Sequence, residues 1–225
     1  MRAMILAAGR GERMGALTQA TPKPLLKVAG QYLIAYSLYA LRRAGIHDVV
    51  INVCYHADQI QAALGNGERY GVHIQYSVET TALETGGGIL QALPLLGPEP
   101  FVVLSSDIIS DYDLQSLPAE PPGLAHLVLV DNPLFHPHGD FCLSGRRIYY
   151  GKDTTYTFGN IGVYRPELFA HSAPGRFRLG ELFKAEILNE QITGEHFSGF
   201  WHNVGTPAEL DKVAAQADQL AKVSL

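Results

Sequence analysis

The 225 residues predict an α/β fold, a mostly parallel sheet flanked by helices and joined to a small inserted antiparallel subregion. Three observations carry that expectation. A short apolar segment at the amino terminus runs directly into a glycine-rich loop. Strand-like and helix-like segments then alternate as far as Asp107. Beyond Pro133 the alternation gives way to two short strand-like runs around a tight turn.

Taken in order, Arg2-Ala3-Met4-Ile5-Leu6 reads as a buried strand feeding the loop Ala7-Ala8-Gly9-Arg10-Gly11-Glu12-Arg13-Met14. Between Tyr32 and Ala44, Ile34, Leu38 and Leu41 recur at helical spacing, and Gly45 is placed to end the helix. Val49 to Val53 is dominated by β-branched residues, Asp58 to Leu64 is helical and stops at Gly65, and Val72 to Tyr76 alternates like a half-buried strand. Ile89 to Leu96 predicts a helix broken by Pro98 and Pro100. Phe101-Val102-Val103-Leu104 is a continuous apolar strand that delivers Ser105-Ser106-Asp107.

Repeated βα units imply parallel strands, because only a crossover returns the chain to the same end of a sheet. Ligands of such sheets gather at the carboxyl ends of the strands. The glycine loop and Asp107 both stand there. After a strand at Leu124 to Val130, Phe141-Cys142-Leu143 and Arg147 to Tyr150 flank Ser144-Gly145 as an antiparallel hairpin. A strand at Phe158 to Tyr164 follows, then helices at Leu179 to Asn189 and Ala208 to Val223, with a strand from His196 to Trp201 between them. No linker or repeat interrupts the chain, so a single domain over 1–225 is expected.

The formal charge of −5 is uneven. Residues 1–30 hold Arg2, Arg10, Arg13, Lys23 and Lys27 against Glu12, a net of +4, which leaves −9 for the other 195. Nucleic-acid binding needs a broad basic surface and is not expected of so acidic a remainder. No apolar run approaches the roughly 18 residues that cross a bilayer, and Met1 to Leu6 stops too soon for a secretion signal. A cytoplasmic protein without a membrane partner is expected, with Cys54 and Cys142 as buried reduced thiols.

The glycine loop matches neither familiar phosphate motif. Met14 stands where the dinucleotide fingerprint requires a third small residue, and no Gly-x-x-x-x-Gly-Lys-Ser/Thr occurs. What remains is a loop whose backbone N–H groups can face phosphate oxygens while Arg10, Arg13 and Lys23 supply cations. His136-Pro137-His138-Gly139-Asp140 has metal-ligand residue types, but Pro137 and Gly139 favour an ordinary polar loop.

Leu6 to Met14 followed by Thr21-Pro22-Lys23-Pro24-Leu25-Leu26 resembles the signature of the sugar-1-phosphate nucleotidyltransferases. Leu83-Glu84-Thr85-Gly86-Gly87-Gly88, Asp107, Gly139-Asp140 and Asn203-Val204-Gly205-Thr206-Pro207 fall in the same order as in that family. The resemblance implies a Rossmann-like mixed sheet of the nucleotide-diphospho-sugar transferase type, with about 1–132 binding nucleotide and about 133–225 binding sugar. Its partners would be a nucleoside triphosphate and a sugar 1-phosphate, with uridylyl transfer favoured and guanylyl transfer to mannose 1-phosphate left open.

The same resemblance implies catalytic roles for Arg13 and Lys23, and nucleotide contacts at Ala8, Gly9, Gly11, Arg13, Glu84 and Gly87. It implies sugar contacts at Gly139, Asp140, Asn160 and Glu181, and Mg²⁺ held by Asp107 and Asn203. The triple glycine is expected to open its helix towards the base. Two departures stand out. Asn203 occupies a position usually held by aspartate, and Ser106 one often held by glycine. Both leave open a nucleotide-sugar sensor that binds without turnover.

Overall fold

The computed structural model describes residues 1–152 and 154–223. The chain runs through β1 (Arg2–Leu6), α1 (Leu17–Ala20), β2 (Lys27–Val28), β3 (Gln31–Tyr32), α2 (Leu33–Arg43), β4 (Asp48–Val53), α3 (Ala57–Leu64), β5 (His73–Val78) and α4 (Glu84–Leu96). It continues through β6 (Phe101–Ser105), β7 (Ile108–Ser110), β8 (Ala125–Val130), β9 (Phe141–Ser144), β10 (Arg147–Tyr149) and β11 (Thr155–Tyr164). The last elements are α5 (Leu179–Leu188), β12 (Ile192–Phe197), β13 (Trp201–Asn203), α6 (Pro207–Ala214) and α7 (Ala217–Val223).

Nine strands form one sheet in the order β5-β4-β1-β6-β11-β8-β12-β10-β9. The pairs among β5, β4, β1 and β6 are all parallel, as the successive βα units require. β11 then enters antiparallel between β6 and β8. It also pairs with β9, so β11, β8, β12, β10 and β9 close on one another in a ring.

Side-chain alternation divides the core in two. Ala3, Ile5, Val49, Ile51, Val102 and Leu104 face α2 and α3, whereas Met4, Val50, Phe101 and Val103 face α4 and α5. Every one of these positions is buried, as expected of a sheet covered on both sides. α6 and α7 add a third apolar patch, in which Val213 and Leu220 meet Val28, Leu33 and Ile109.

The structure corrects three boundaries. α4 begins at Glu84 rather than Ile89, so the triple glycine lies inside it. The strand expected over 196–201 is two, β12 and β13, because Asp111 Oδ1 accepts the Phe200 N–H at 2.8 Å and turns the chain. The helix expected over 208–223 is broken into α6 and α7 at Gln216. β7 and the small β2–β3 hairpin carry too few residues for a periodicity to register. Cys142 is buried as expected, but Cys54 is only half-buried. Burial and the Glu79 carboxylate push the Cys54 thiol up, against the pull of Arg10.

Candidate active site

The loop after β1 turns sharply because Gly11 adopts a left-handed conformation, φ 67°, open to glycine at little cost. A Cβ there would meet the Lys23 and Thr18 side chains at 3.0 and 3.1 Å. At Gly9 an added Cβ meets nothing within 4 Å. The N–H groups of Ala8, Gly9, Arg10 and Gly11 find no protein acceptor among the described residues, so four donors in succession remain for a ligand.

Lys23 begins a 3₁₀ turn between Pro22 and Pro24, which fix the backbone beneath it. Its Nζ is paired with Asp107 Oδ2. Both side chains are largely withdrawn from solvent, at 11% and 19% exposure, so removing either leaves a poorly solvated charge. Asp107 follows β6, and the next residues form β7, which pairs antiparallel with β13. That pairing sets Asn203 opposite Ile108, and the Val204 N–H donates to the Asp107 carbonyl at 2.9 Å. Asn203 is thereby carried nearly a hundred residues along the chain to a place beside Asp107.

Asn203 Oδ1 is buried and accepts no hydrogen bond among the described residues. An orphaned buried amide oxygen is a costly arrangement unless a cation or donor completes it. Oxygen donors of this kind suit Mg²⁺, so the residues present fit such an ion. Arg13 completes this end of the site, with its guanidinium over Gly205, where a Cβ would come within 3.3–3.4 Å.

A cleft of about 440 Å³ runs from here towards the ring of strands. Of the residues the sequence nominates, Arg13, Asp140, Asn160 and Asn203 line it. Asn160 projects there because β11 changes register against β8 between Phe158 and Gly162; its φ of 56° is one that asparagine tolerates. Trp201 lies alongside and donates from Nε1 to the Gly159 carbonyl at 2.9 Å. Asp140 is fixed twice, accepting from the Phe158 N–H at 2.8 Å and lying 3.1 Å from His136 Nε2. Phe135, Phe141, Phe158 and Phe183 give this end an aromatic lining that the sequence reading missed.

Four nominated residues are occupied otherwise. Gly87, expected to face a base, is closed in by its own protein. Its N–H donates to the Phe177 carbonyl at 3.2 Å, and a Cβ would stand 2.1 Å from the Gly175 oxygen. Gly86 and Gly88 are equally enclosed, against the Phe177 ring and against Asn52 with Glu79. Glu84, at φ 62°, is paired with Arg176 at 2.7 Å and Arg178 at 3.6 Å. Glu181 caps its own helix, accepting the Arg178 N–H at 3.3 Å. Gly139 is a turn glycine, φ 58°, hemmed in by Asn132 Oδ1 and the Tyr156 carbonyl.

A mixed sheet with a donor-rich glycine loop, a lysine–carboxylate pair and a cleft at the strand ends defines a protein that handles phosphate esters. The nucleotidyl transferase family model matches residues 2–120, and the chain belongs to that family. It is 44% identical over 227 residues to N-acetylmuramate alpha-1-phosphate uridylyltransferase of Neisseria meningitidis, covering 96% of this chain and 98% of that protein. It is 34% identical to the protein of the same name from Caulobacter vibrioides, covering 96% and 95%. Among solved structures, the inositol-1-phosphate CTP transferase from T. maritima shares the fold, with a TM-score of 0.80 at 17% identity over 99% of this chain and 95% of that one. Among the described residues no helix is long and apolar enough to cross a membrane.

Proposed function

We propose that the protein transfers a uridylyl group from UTP to N-acetylmuramate α-1-phosphate, releasing pyrophosphate and forming UDP-N-acetylmuramate. The observation that supports the reading is the buried, unpartnered Asn203 oxygen, which lines the cleft with Arg13 and is carried by the β7–β13 pairing to the strand that follows the Lys23–Asp107 pair. The choice of base and sugar rests on the names of the two relatives.

An oxygen of the sugar 1-phosphate attacks the α-phosphorus of UTP. A new O–Pα bond forms, the bond from Pα to the bridging oxygen breaks, and its electron pair leaves on pyrophosphate. The nucleophile is already an anion, so no general base or covalent serine is required, and catalysis rests on alignment and charge stabilisation. The amides of Ala8 to Gly11 and the Arg13 guanidinium hold the β and γ phosphates. Lys23 donates to the α-phosphate, leaving the Asp107 carboxylate to a cation. When bound by Asp107 and Asn203, Mg²⁺ supplies Lewis-acid stabilisation of the phosphate oxygens. At the far end of the cleft Asp140 accepts a sugar hydroxyl and Asn160 donates to the sugar, while the aromatic lining shields its apolar substituents.

Incubation of the purified protein with each nucleoside triphosphate and a panel of hexose 1-phosphates, with products identified by mass, tests the reading. UDP-N-acetylmuramate should dominate. GDP-mannose as the main product would replace the substrates and keep the reaction; nucleotide binding without any product would leave a sensor.

A further inference from the structure

We infer that Asn52 and Glu79 are positioning residues that hold the glycine loop, on which the triphosphate lies, at a fixed separation from the start of α4, whose Thr85 lines the cleft. The inference rests on the nucleotide-binding role proposed above and goes beyond it, since neither residue has a part in that scheme. Both side chains are buried, at 2% and 3% exposure. Polar groups at that depth persist where they are fully paired.

The pairing runs in one line. The Ala7 N–H donates to Asn52 Oδ1 at 2.9 Å, Asn52 Nδ2 donates to Glu79 Oε1 at 2.7 Å, and the Leu83 N–H donates to Glu79 Oε2 at 2.9 Å. Ala7 opens the glycine loop, and Leu83 is the residue on which α4 starts. Two side chains at the carboxyl ends of adjacent strands therefore tie the glycine loop to the start of α4, whose Thr85 lines the cleft. Gly88 makes room for them, since a Cβ there would lie 2.7 Å from both Asn52 Nδ2 and Glu79 Oε1.

Both terminal donors are backbone N–H groups, which cannot reverse, so the line has a fixed polarity. In Glu79→Gln the new amide must point its N–H groups either at Asn52 Nδ2 or at the Leu83 N–H, donor against donor. In Asn52→Asp two carboxylates face each other in the core. Combined, the two changes restore the line: the carboxylate introduced at position 52 accepts from the Ala7 N–H and from the new amide at position 79, whose oxygen accepts from Leu83. The polarity of the middle bond is reversed and both ends are kept.

The test is a double-mutant cycle on the full chain, reading the UTP dissociation constant by calorimetry, the KM for each substrate, and Tm. Each single variant should weaken UTP about tenfold, the consequence of one unsatisfied buried polar group. The KM for the sugar phosphate should stay within about twofold in the same variants, and the double variant should bind UTP within about threefold of the natural protein. If Tm falls in the single variants and recovers in the double one while the UTP constant of the folded protein never moves, the pair is core structure only and the inference is overturned. A double variant that binds no better than the single ones overturns it too. Failure of the natural protein to bind UTP overturns the proposed function itself, and with it any nucleotide role for the pair.

Discussion

The chain contains two glycine-rich segments at the ends of parallel-sheet units, and they do opposite things. At Gly9 the glycine leaves space: an added Cβ meets nothing, and the N–H groups from Ala8 to Gly11 are unspent. At Gly86 to Gly88 the glycines remove space. Their missing Cβ atoms are replaced by an aromatic ring, a backbone oxygen and a buried amide–carboxylate pair at 2.1–2.7 Å. One segment leaves its backbone open, the other lets α4 sit against its own protein. Composition alone does not separate the two; the surroundings do.

The sharpest way to break the comparison is at Lys23, which packs its stem against Gly11 and its charge against Asp107. Lys23→Ala should lower kcat on the order of 10²-fold or more in a protein that still folds by circular dichroism, the scale expected when a transition-state donor is lost. Near-normal turnover would remove the catalytic role from this end of the cleft.

Alanine at the two glycines tests the contrast itself. Gly87→Ala should cost roughly 1–3 kcal/mol through overpacking and lower Tm by several degrees in a thermal melt. Gly9→Ala should leave Tm within about 2 °C, since substitutions into open space are nearly neutral. Its effect should fall instead on UTP affinity. Equal losses of stability would mean that the loop around Gly9 is packed as tightly as α4.

A smaller effect is expected at Asn203. Asn203→Asp adds a carboxylate beside Asp107 and should lower the Mg²⁺ concentration for half-maximal turnover severalfold, read by titration. An unchanged titration would show that Asn203 holds no metal.

The smallest lies outside the cleft, at His126. Burial holds its pKa below the usual histidine value, outweighing the pull of Glu195 and helped by Arg146. The unfolded chain therefore gains this proton at a higher pH than the folded one. Its contribution is complete above about pH 6.5 and is lost as the pH falls below that value. His126→Gln should flatten the decline of Tm between about pH 6.5 and 5; an identical slope would assign that decline to other groups.

The parallel half was legible because β1, β4 and β6 are largely apolar runs buried on both faces, β5 alternates as an edge strand does, and α2 and α3 each have an apolar stripe. Asp107 could be nominated from its place after such a run. Asn203 could be nominated only by resemblance, since its partner strand β7 is three residues long and its pairing is entirely non-local. The aromatic lining was hidden for a related reason. Phe141, Phe158 and Phe183 come from separate elements and look like core residues until the strand ring brings them to one cleft. Asn52 carried no signal at all within a β-branched strand. The start of α4 was placed too late because the helix continues back through the triple glycine to Glu84, held by contacts with Phe177 about ninety residues away.

The central claim is that the open glycine loop, and not the closed one, receives the triphosphate. A crystal structure of the protein with UTP and Mg²⁺ tests it directly. The β and γ phosphates should lie on the amides of Ala8 to Gly11 beside Arg13, with Lys23 turned from Asp107 to the α-phosphate and the ion held by Asp107 and Asn203. Phosphates seated elsewhere, with Lys23 still bonded to Asp107, would contradict it.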